Sequence, residues 1–202
     1  MPPQRNLQTE QVGAFIIRLP LLPIFLPCAM INKGGMIMRS DLQLNEEQYR
    51  DIWVWVDENI SFRPHYRRGH DFFPWKPFEI PVRHVVYGFE NMKKEHADVM
   101  DDLIDQAFLN VTKEGQRIYA LDWQHDGYLY DPRQFRKEPH YWFPGYYPDG
   151  DYYFHIDEYL QFGYLSHPWR QEVWIFGDAL IEEFQRIYSQ LGWDLLYEFD
   201  PS

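Results

Sequence analysis

Four histidine and aspartate residues in the second half of the chain are best suited to acid–base chemistry. His155 and Asp157 are two residues apart in the run from Asp149 to Asp157, so on a β-strand their side chains share one face. A carboxylate beside an imidazole fixes the tautomer of the ring and lets it act as a general base. The predicted catalytic residues of an enzyme built on this chain are therefore His155 and Asp157, assisted by His167 and His125.

Polar and aromatic side chains near these residues are predicted to bind a ligand. Tyr153 shares the strand face of His155, and this face is expected to line a cleft over the sheet. The other predicted ligand contacts are Asp122 and Trp123 at a strand end, Trp169 in a hairpin, and Arg67 in a basic cluster. A structural interpretation of the same residues is open, because Tyr, Trp and His often fill partly buried positions with a bonded polar tip.

Metal-assisted and nucleophilic chemistry have weaker support. His125, His155, His167 and Asp157 offer ligand atoms, but no pair has an HExxH or CxxC spacing. The chain has no Gly-x-Ser-x-Gly elbow and no glycine-rich phosphate loop between a strand and a helix. The sequence therefore predicts neither a metal nor another cofactor.

The composition limits the classes of partner. The chain has 202 residues, 19% of them aromatic, and a formal net charge of −12. Nucleic acids and anionic membranes are bound by clustered Lys and Arg, so neither partner is expected. A basic protein or a small-molecule ligand fits this charge better. The lone cysteine, Cys28, excludes an intrachain disulfide and favours a reducing, cytoplasmic setting.

Residues 1–38 differ in composition from the rest of the chain. Prolines and Arg18 interrupt the apolar run from Ala14 to Ile31, which argues against both a signal peptide and a membrane span. We expect a poorly ordered arm, or sequence upstream of a natural start at Met36 or Met38. Residues 39–202 are expected to form one domain.

Periodic patterns along this domain predict an α+β fold. Asn45 and Gln48 predict the capped start of a helix that ends near Ile60. Two further helices are predicted, one opening at Asn91 and the other at Gly177-Asp178, and most other segments alternate as strands. Asp126-Gly127 predicts a tight hairpin turn, and the tail from 193 to 199 predicts a short edge strand. The expected architecture is an antiparallel sheet with about three helices packed mainly on one face.

Two blocks of the sequence resemble a known family. The blocks are Gly150-Asp-Tyr-Tyr-Phe with the later His167-Pro-Trp and Ile175-Phe-Gly, and Leu121-Asp-Trp-Gln-His125. They are similar to the bacterial family called domain of unknown function 2716, over about residues 47–191. The resemblance implies a small soluble bacterial protein and brings no activity with it.

Two functional hypotheses follow. The first is a non-catalytic binding module, for example an immunity-type protein, whose acidic surface and aromatic loops engage a basic partner or a ligand. The second is an enzyme with a His/Asp acid–base site, or a metal-assisted site, in a cleft over the sheet. The sequence does not predict an oligomeric state.

Overall fold

The structure is a computed structural model that describes residues 42–62, 64, 78–135 and 144–201. The N-terminal arm and Arg67 lie outside the described residues. The helices are α1 (Glu46–Ile60), α2 (Lys94–Val111), α3 (Pro132–Phe135) and α4 (Asp178–Ile187). The strands are β1 (His84–Gly88), β2 (Ile118–Asp122), β3 (Gly127–Tyr130), β4 (Tyr153–Asp157), β5 (Gly163–His167), β6 (Glu172–Phe176) and β7 (Asp194–Phe199).

Helix α1 begins at the cap that the sequence predicts. The Asn45 side chain accepts a hydrogen bond from the Gln48 N–H, and the Gln48 side chain accepts one from the Asn45 N–H. This reciprocal pair satisfies donors that the first turn leaves without a helical partner. The helix buries Ile52, Val56 and Ile60 against the sheet.

The seven strands form one sheet in the order β3-β2-β4-β5-β6-β1-β7, and every neighbouring pair is antiparallel. Strands β2 to β6 follow one another closely in space, because short turns join β2 to β3, β4 to β5 and β5 to β6. Strand β1 is different, since it lies between β6 and β7 from the end of the chain. The predicted α+β class with an antiparallel sheet is confirmed.

Both faces of the sheet are covered. Helices α2 and α4 pack on one face with residues such as Ile104, Phe108 and Phe184, and Phe135 of α3 packs against the same cluster. Helix α1 packs on the other face, with Val56 near Phe154 and Leu165 in the second cluster. Three of the four described helices therefore share one face, but they include the unpredicted α3, and the predicted helix α1 packs on the opposite face. Among the described helices, none is both long and apolar enough to cross a bilayer.

The short helix α3 places Arg133 beside the C-terminal end of α2. Its Arg133 guanidinium donates hydrogen bonds to the backbone carbonyls of Leu109 at 3.0 Å, Thr112 at 2.5 Å and Lys113 at 3.0 Å. These carbonyls belong to the end of α2, where the helix carries partial negative charge. The arginine therefore caps α2 and fixes the helix against the β3 end of the sheet.

Candidate functional site

The β4 face that carries Tyr153, His155 and Asp157 is buried, which differs from the cleft expected from the sequence. The three residues are 7%, 1% and 0% exposed. The ring of His155 lies 4.5 Å from that of Tyr146 and 6.0 Å from that of Phe108 on α2, measured between centroids. Helix α2 and the segment before β4 cover this face, so no cleft opens over it.

The environment of His155 keeps its imidazole neutral. Burial lowers the pKa of His155 to about 4, although hydrogen bonding to the backbone of Gly145 and Pro144 opposes the shift. The Nε2 atom lies 3.3 Å from the Gly145 carbonyl oxygen, which indicates that Nε2 carries the proton and donates it. The Nδ1 atom is buried and has no hydrogen-bond partner within the described ranges. Among the described residues, His155 forms no hydrogen bond with Asp157.

Asp157 instead organises the turn between β4 and β5. Its carboxylate accepts hydrogen bonds from the backbone N–H groups of Tyr159 at 3.0 Å, Gln161 at 2.5 Å and Phe162 at 2.9 Å. It also accepts one from the Gln116 side chain at 3.0 Å. Four donors use the acceptor capacity of this carboxylate, so the structure gives Asp157 a fully structural set of contacts.

His167 lies on the opposite face of the sheet from His155. Its Nε2 is 3.4 Å from the Tyr152 hydroxyl oxygen, and its Nδ1 accepts a hydrogen bond of 3.3 Å from the Arg170 N–H. Its ring contacts the Trp169 ring at a centroid distance of 6.2 Å. The structure therefore does not bring the four predicted catalytic residues together, and their catalytic role stays a prediction.

The structure does bring other predicted residues together, at the end of the sheet where β2 stops and β4 begins. Asp122 pairs with Tyr153 across these strands. The Nδ1 atom of His125 lies 3.1 Å from Asp122 Oδ1 and 3.3 Å from Asp151 Oδ2. The Tyr153 hydroxyl donates a short hydrogen bond to Asp149. We call Asp122, His125, Asp149, Asp151 and Tyr153 the strand-end cluster. Trp123, although adjacent in sequence, packs on the other face, with its ring 5.5 Å from that of Tyr152.

In the strand-end cluster, burial and the charge of His125 shift the pKa of Asp122 in opposite directions. Burial raises the pKa of Asp122 to about 6, against the stabilising hydrogen bond from His125. The hydrogen bond to Asp122 raises the pKa of His125. The His125 side chain is 63% exposed and that of Asp122 only 10%, so the imidazole reaches solvent while the carboxylate orients it.

The side-chain atoms of Asp122, His125 and Asp151 are close enough together to bind one metal ion or to transfer a proton between them. One ligand atom each of Asp122, His125 and Asp151 lies within 4.8 Å of the other two. Carboxylate and imidazole donors suit divalent cations such as Zn²⁺ or Mn²⁺. Asp149 and Asp151 are not among the residues predicted from the sequence, although both belong to the run that precedes β4. The signal that identifies them is the antiparallel pairing of β2 with β4, which places the start of one strand beside the end of the other.

Comparison with known proteins places this chain in a family. The profile described as "Protein of unknown function (DUF2716)" matches residues 43–181. The uncharacterised protein YxiI of Bacillus subtilis (strain 168) is 31% identical over 147 residues, which cover 69% of this chain and 88% of that protein. No solved structure matches the chain. The match begins just before α1 and ends within α4, so it spans the sheet except for β7. The chain therefore belongs to the DUF2716 family of proteins of unknown function.

Proposed function

We propose that this protein is a non-catalytic binding module whose acidic surface engages a basic partner protein. The proposal rests on a difference between the positive and the negative side chains in the contacts that they make within the chain. Every arginine within the described ranges is already engaged inside the chain, whereas several surface carboxylates have no cationic partner there. The protein therefore presents a surplus of negative charge to its surroundings.

The arginines are six of the nine Arg and Lys residues in the described ranges, and the other three, Lys93, Lys94 and Lys113, form no ion pair there. Arg83 bonds to Glu198 and Asp178, Arg117 to Glu158, and Arg170 to Glu172. The remaining described arginines are Arg50 and Arg186, which pair with neighbouring acids, and Arg133, which caps α2.

Carboxylates on α2 illustrate the negative side. Glu95, Asp98, Asp101 and Asp102 are exposed on its outer surface, and no ion pair holds any of them among the described residues. Asp101 reaches solvent, but partial desolvation against the helix surface raises the pKa of its carboxyl, and the charge of Asp102 adds a smaller contribution. An uncompensated field of this kind accelerates encounter with a positively charged partner and disfavours acidic ones. An immunity-type protein that neutralises a basic toxin is one concrete form of this function. The cytoplasmic setting stays a prediction.

The proposal is tested by capture followed by reconstitution. The full chain is tagged in its own host, captured proteins are identified, and each purified candidate is titrated against this protein by calorimetry at low and at high salt. We expect a partner of net positive charge whose affinity falls as salt rises, because screening weakens exposed charge–charge attraction. A partner of net negative charge, or an affinity that salt does not change, contradicts the proposal.

The spacing of Asp122, His125 and Asp151 favours a second candidate function. In this alternative the strand-end cluster, rather than His155 and Asp157, provides acid–base or metal-assisted catalysis, with Asp122 orienting the exposed imidazole. Titration calorimetry with Mn²⁺ and with Zn²⁺ tests its metal-assisted form. A saturable heat that is lost in Asp122→Asn supports this alternative, and equal heats in both proteins argue against it.

A further inference from the structure

A cavity of about 450 Å³ opens on the α1 face of the sheet, beside the edge strand β7. Its floor is aromatic and crosses three neighbouring strands. The floor consists of Trp174 on β6, His84 on β1, and Tyr197 and Phe199 on β7. His84 pairs with Phe199 in the sheet, and the adjacent row pairs Trp174 with Val86 and Val86 with Tyr197, which brings the four rings together. We call this cavity the edge pocket.

The rings of the floor form a continuous packed surface. The His84 ring stacks on Trp174 at a centroid distance of 5.5 Å and on Phe199 at 5.0 Å. The Tyr197 ring meets Trp174 edge-on at 5.7 Å. Trp174 and His84 are buried, but Tyr197 and Phe199 are each 42% exposed. Exposed aromatic faces attract cations through the negative charge density of the ring.

The wall of the edge pocket is acidic. Glu58 lies near the end of α1, and Glu79 lies on the segment that returns to the sheet. Both are exposed, and neither forms an ion pair in the portion of the chain that the structure describes. His84 contributes an imidazole to the lining of the pocket, and its Nδ1 lies 2.9 Å from the Val82 carbonyl oxygen.

The end of α1 adds further negative character. A helix carries partial negative charge at its C-terminus, where basic side chains are favourable. The last turn of α1 has no basic residue and instead contains Glu58. This arrangement works against the stability of the isolated helix, and such a local conflict is expected where a surface serves a partner.

We propose that the edge pocket receives an arginine side chain of the basic partner, an inference that rests on the function proposed above. The planar guanidinium stacks on the exposed faces of Tyr197 and Phe199 while Glu58 and Glu79 accept its hydrogen bonds. The nearby Arg83 does not compete, because Glu198 and Asp178 already hold it at 2.6 and 3.2 Å.

The surroundings of the pocket favour an arginine presented by a protein over a free small cation. Leu196 of β7 is 49% exposed, and its side chain lies over Gly88, which shares the strand face of His84. Protein interfaces combine apolar area of this kind with arginine and aromatic side chains at their centre. The partner surface around the arginine therefore has apolar area of β7 to pack against.

The test uses defined peptides with the full chain. A capped Gly-Arg-Gly peptide and its uncharged citrulline analogue are titrated while chemical shifts of the protein are followed by NMR. We expect the arginine peptide to shift resonances of Tyr197 and Trp174, and the citrulline peptide to bind at least about tenfold more weakly because the charge-assisted bonds are lost. The double variant Glu58→Gln/Glu79→Gln is expected to weaken the arginine peptide similarly. Glu114→Gln, which removes an exposed charge in the turn between α2 and β2, is the control and is expected to change little.

The outcomes separate the pocket from the wider proposal. Equal binding of the two peptides, or no effect of the double variant, overturns the edge pocket as an arginine site. An oligolysine peptide that binds in a salt-dependent way under those conditions leaves the acidic binding module intact and overturns only the pocket. Failure of the oligolysine peptide to bind, together with absence of any basic partner in the capture experiment, overturns both.

Discussion

The centre of the sheet and its β7 edge use polar and aromatic residues in opposite ways. At the centre, His155, Asp157 and Ser166 are buried, and the Ser166 hydroxyl bonds both the N–H and the carbonyl of Tyr153 at 3.0 and 2.9 Å. At the edge, Tyr197 and Phe199 remain 42% exposed beside Glu58 and Glu79, which form no ion pair with any residue that the structure describes. Residue types suggestive of catalysis are therefore buried and hydrogen-bonded at the centre, whereas the exposed side chains at the edge are the ones that we propose for a partner.

The largest expected effect is at the centre, in Asp157→Ala. This change leaves three backbone N–H groups and the Gln116 amide without their acceptor in a site that is 0% exposed. Each unsatisfied buried donor costs about 1–3 kcal/mol, so the free energy of unfolding is expected to fall by about 4 kcal/mol or more. Urea denaturation measures the change, with Asp98→Asn as the surface control. A loss below about 1 kcal/mol would show that water replaces the carboxylate and that the centre is less important than we argue.

The next effect is a pH dependence that comes from His155. The folded-state pKa of about 4 lies below the unfolded value of about 6.5, so only the unfolded chain gains a proton between these values. The free energy of unfolding contributed by this group is therefore intact above about pH 6.5 and falls by up to roughly 3 kcal/mol towards pH 4.

Asp122 titrates with the opposite sign in the same range. Because the pKa of Asp122 is raised to about 6 in the folded chain, the folded chain binds a proton at a higher pH than the unfolded chain does. The contribution of Asp122 to the free energy of unfolding is therefore present at low pH and is lost as the pH rises through 6. Denaturation is therefore compared in an Asp122→Asn background, with and without His155→Gln. A slope between pH 4 and pH 6.5 that persists in the double variant would show that another group causes it.

Substitution of two glycines, Gly177 and Gly115, is expected to have a smaller effect on stability, and the two positions can be compared directly because both have a positive φ. Gly177 has φ +89, and a Cβ there would lie 2.4 Å from the Cβ of Phe162 and 2.7 Å from the Gln161 carbonyl oxygen. Gly115 has φ +76, but apart from its two chain neighbours no described residue has an atom within 4 Å of its Cβ position. We expect Gly177→Ala to lower the free energy of unfolding by about 2–3 kcal/mol and Gly115→Ala by about 1 kcal/mol, since only the first adds a clash to the strain. Equal losses in thermal denaturation would mean that the packing around Gly177 relaxes freely.

The smallest expected effect on stability is at the edge. Tyr197→Ser and Leu195→Ser remove side chains that are about half exposed, so each is expected to change the free energy of unfolding by less than about 0.5 kcal/mol. If the edge serves a partner, Tyr197→Ser nevertheless weakens the arginine peptide. A destabilisation comparable to that of Asp157→Ala would erase the distinction between centre and edge.

Local signals made much of the fold predictable. Asn45 and Gln48 predict the start of α1, and Asp126-Gly127 predicts the β2–β3 turn. The alternation of Tyr152, Phe154 and Ile156 predicts a strand face that packs in the core. The tail was correctly expected to be an edge strand. These features depend on neighbours within a few residues, which is the range over which capping, turn geometry and strand alternation act.

The candidate site was less predictable because it depends on packing between distant segments. The polar alternation of Tyr153, His155 and Asp157 suggested a solvent-lined face, but such residues are also tolerated in a core when their polar atoms are bonded. Phe108 on α2 and Tyr146 before β4 cover this face by packing against His155. The sequence pattern of β4 alone cannot predict either contact, because both residues come from other segments. The grouping of Asp151 with Asp122 likewise requires the β2–β4 register.

The position of β1 has a consequence for synthesis of the chain. Its two neighbours in the sheet, β6 and β7, come from the last part of the sequence, and Arg83 beside it reaches an ion-pair partner 115 residues later. On the ribosome, β1 therefore leaves the exit tunnel long before any strand that can pair with it. The N–H and C=O groups along its two edges have no strand partner until residues 172–199 have been made, so completion of the sheet depends on slow, long-range pairing.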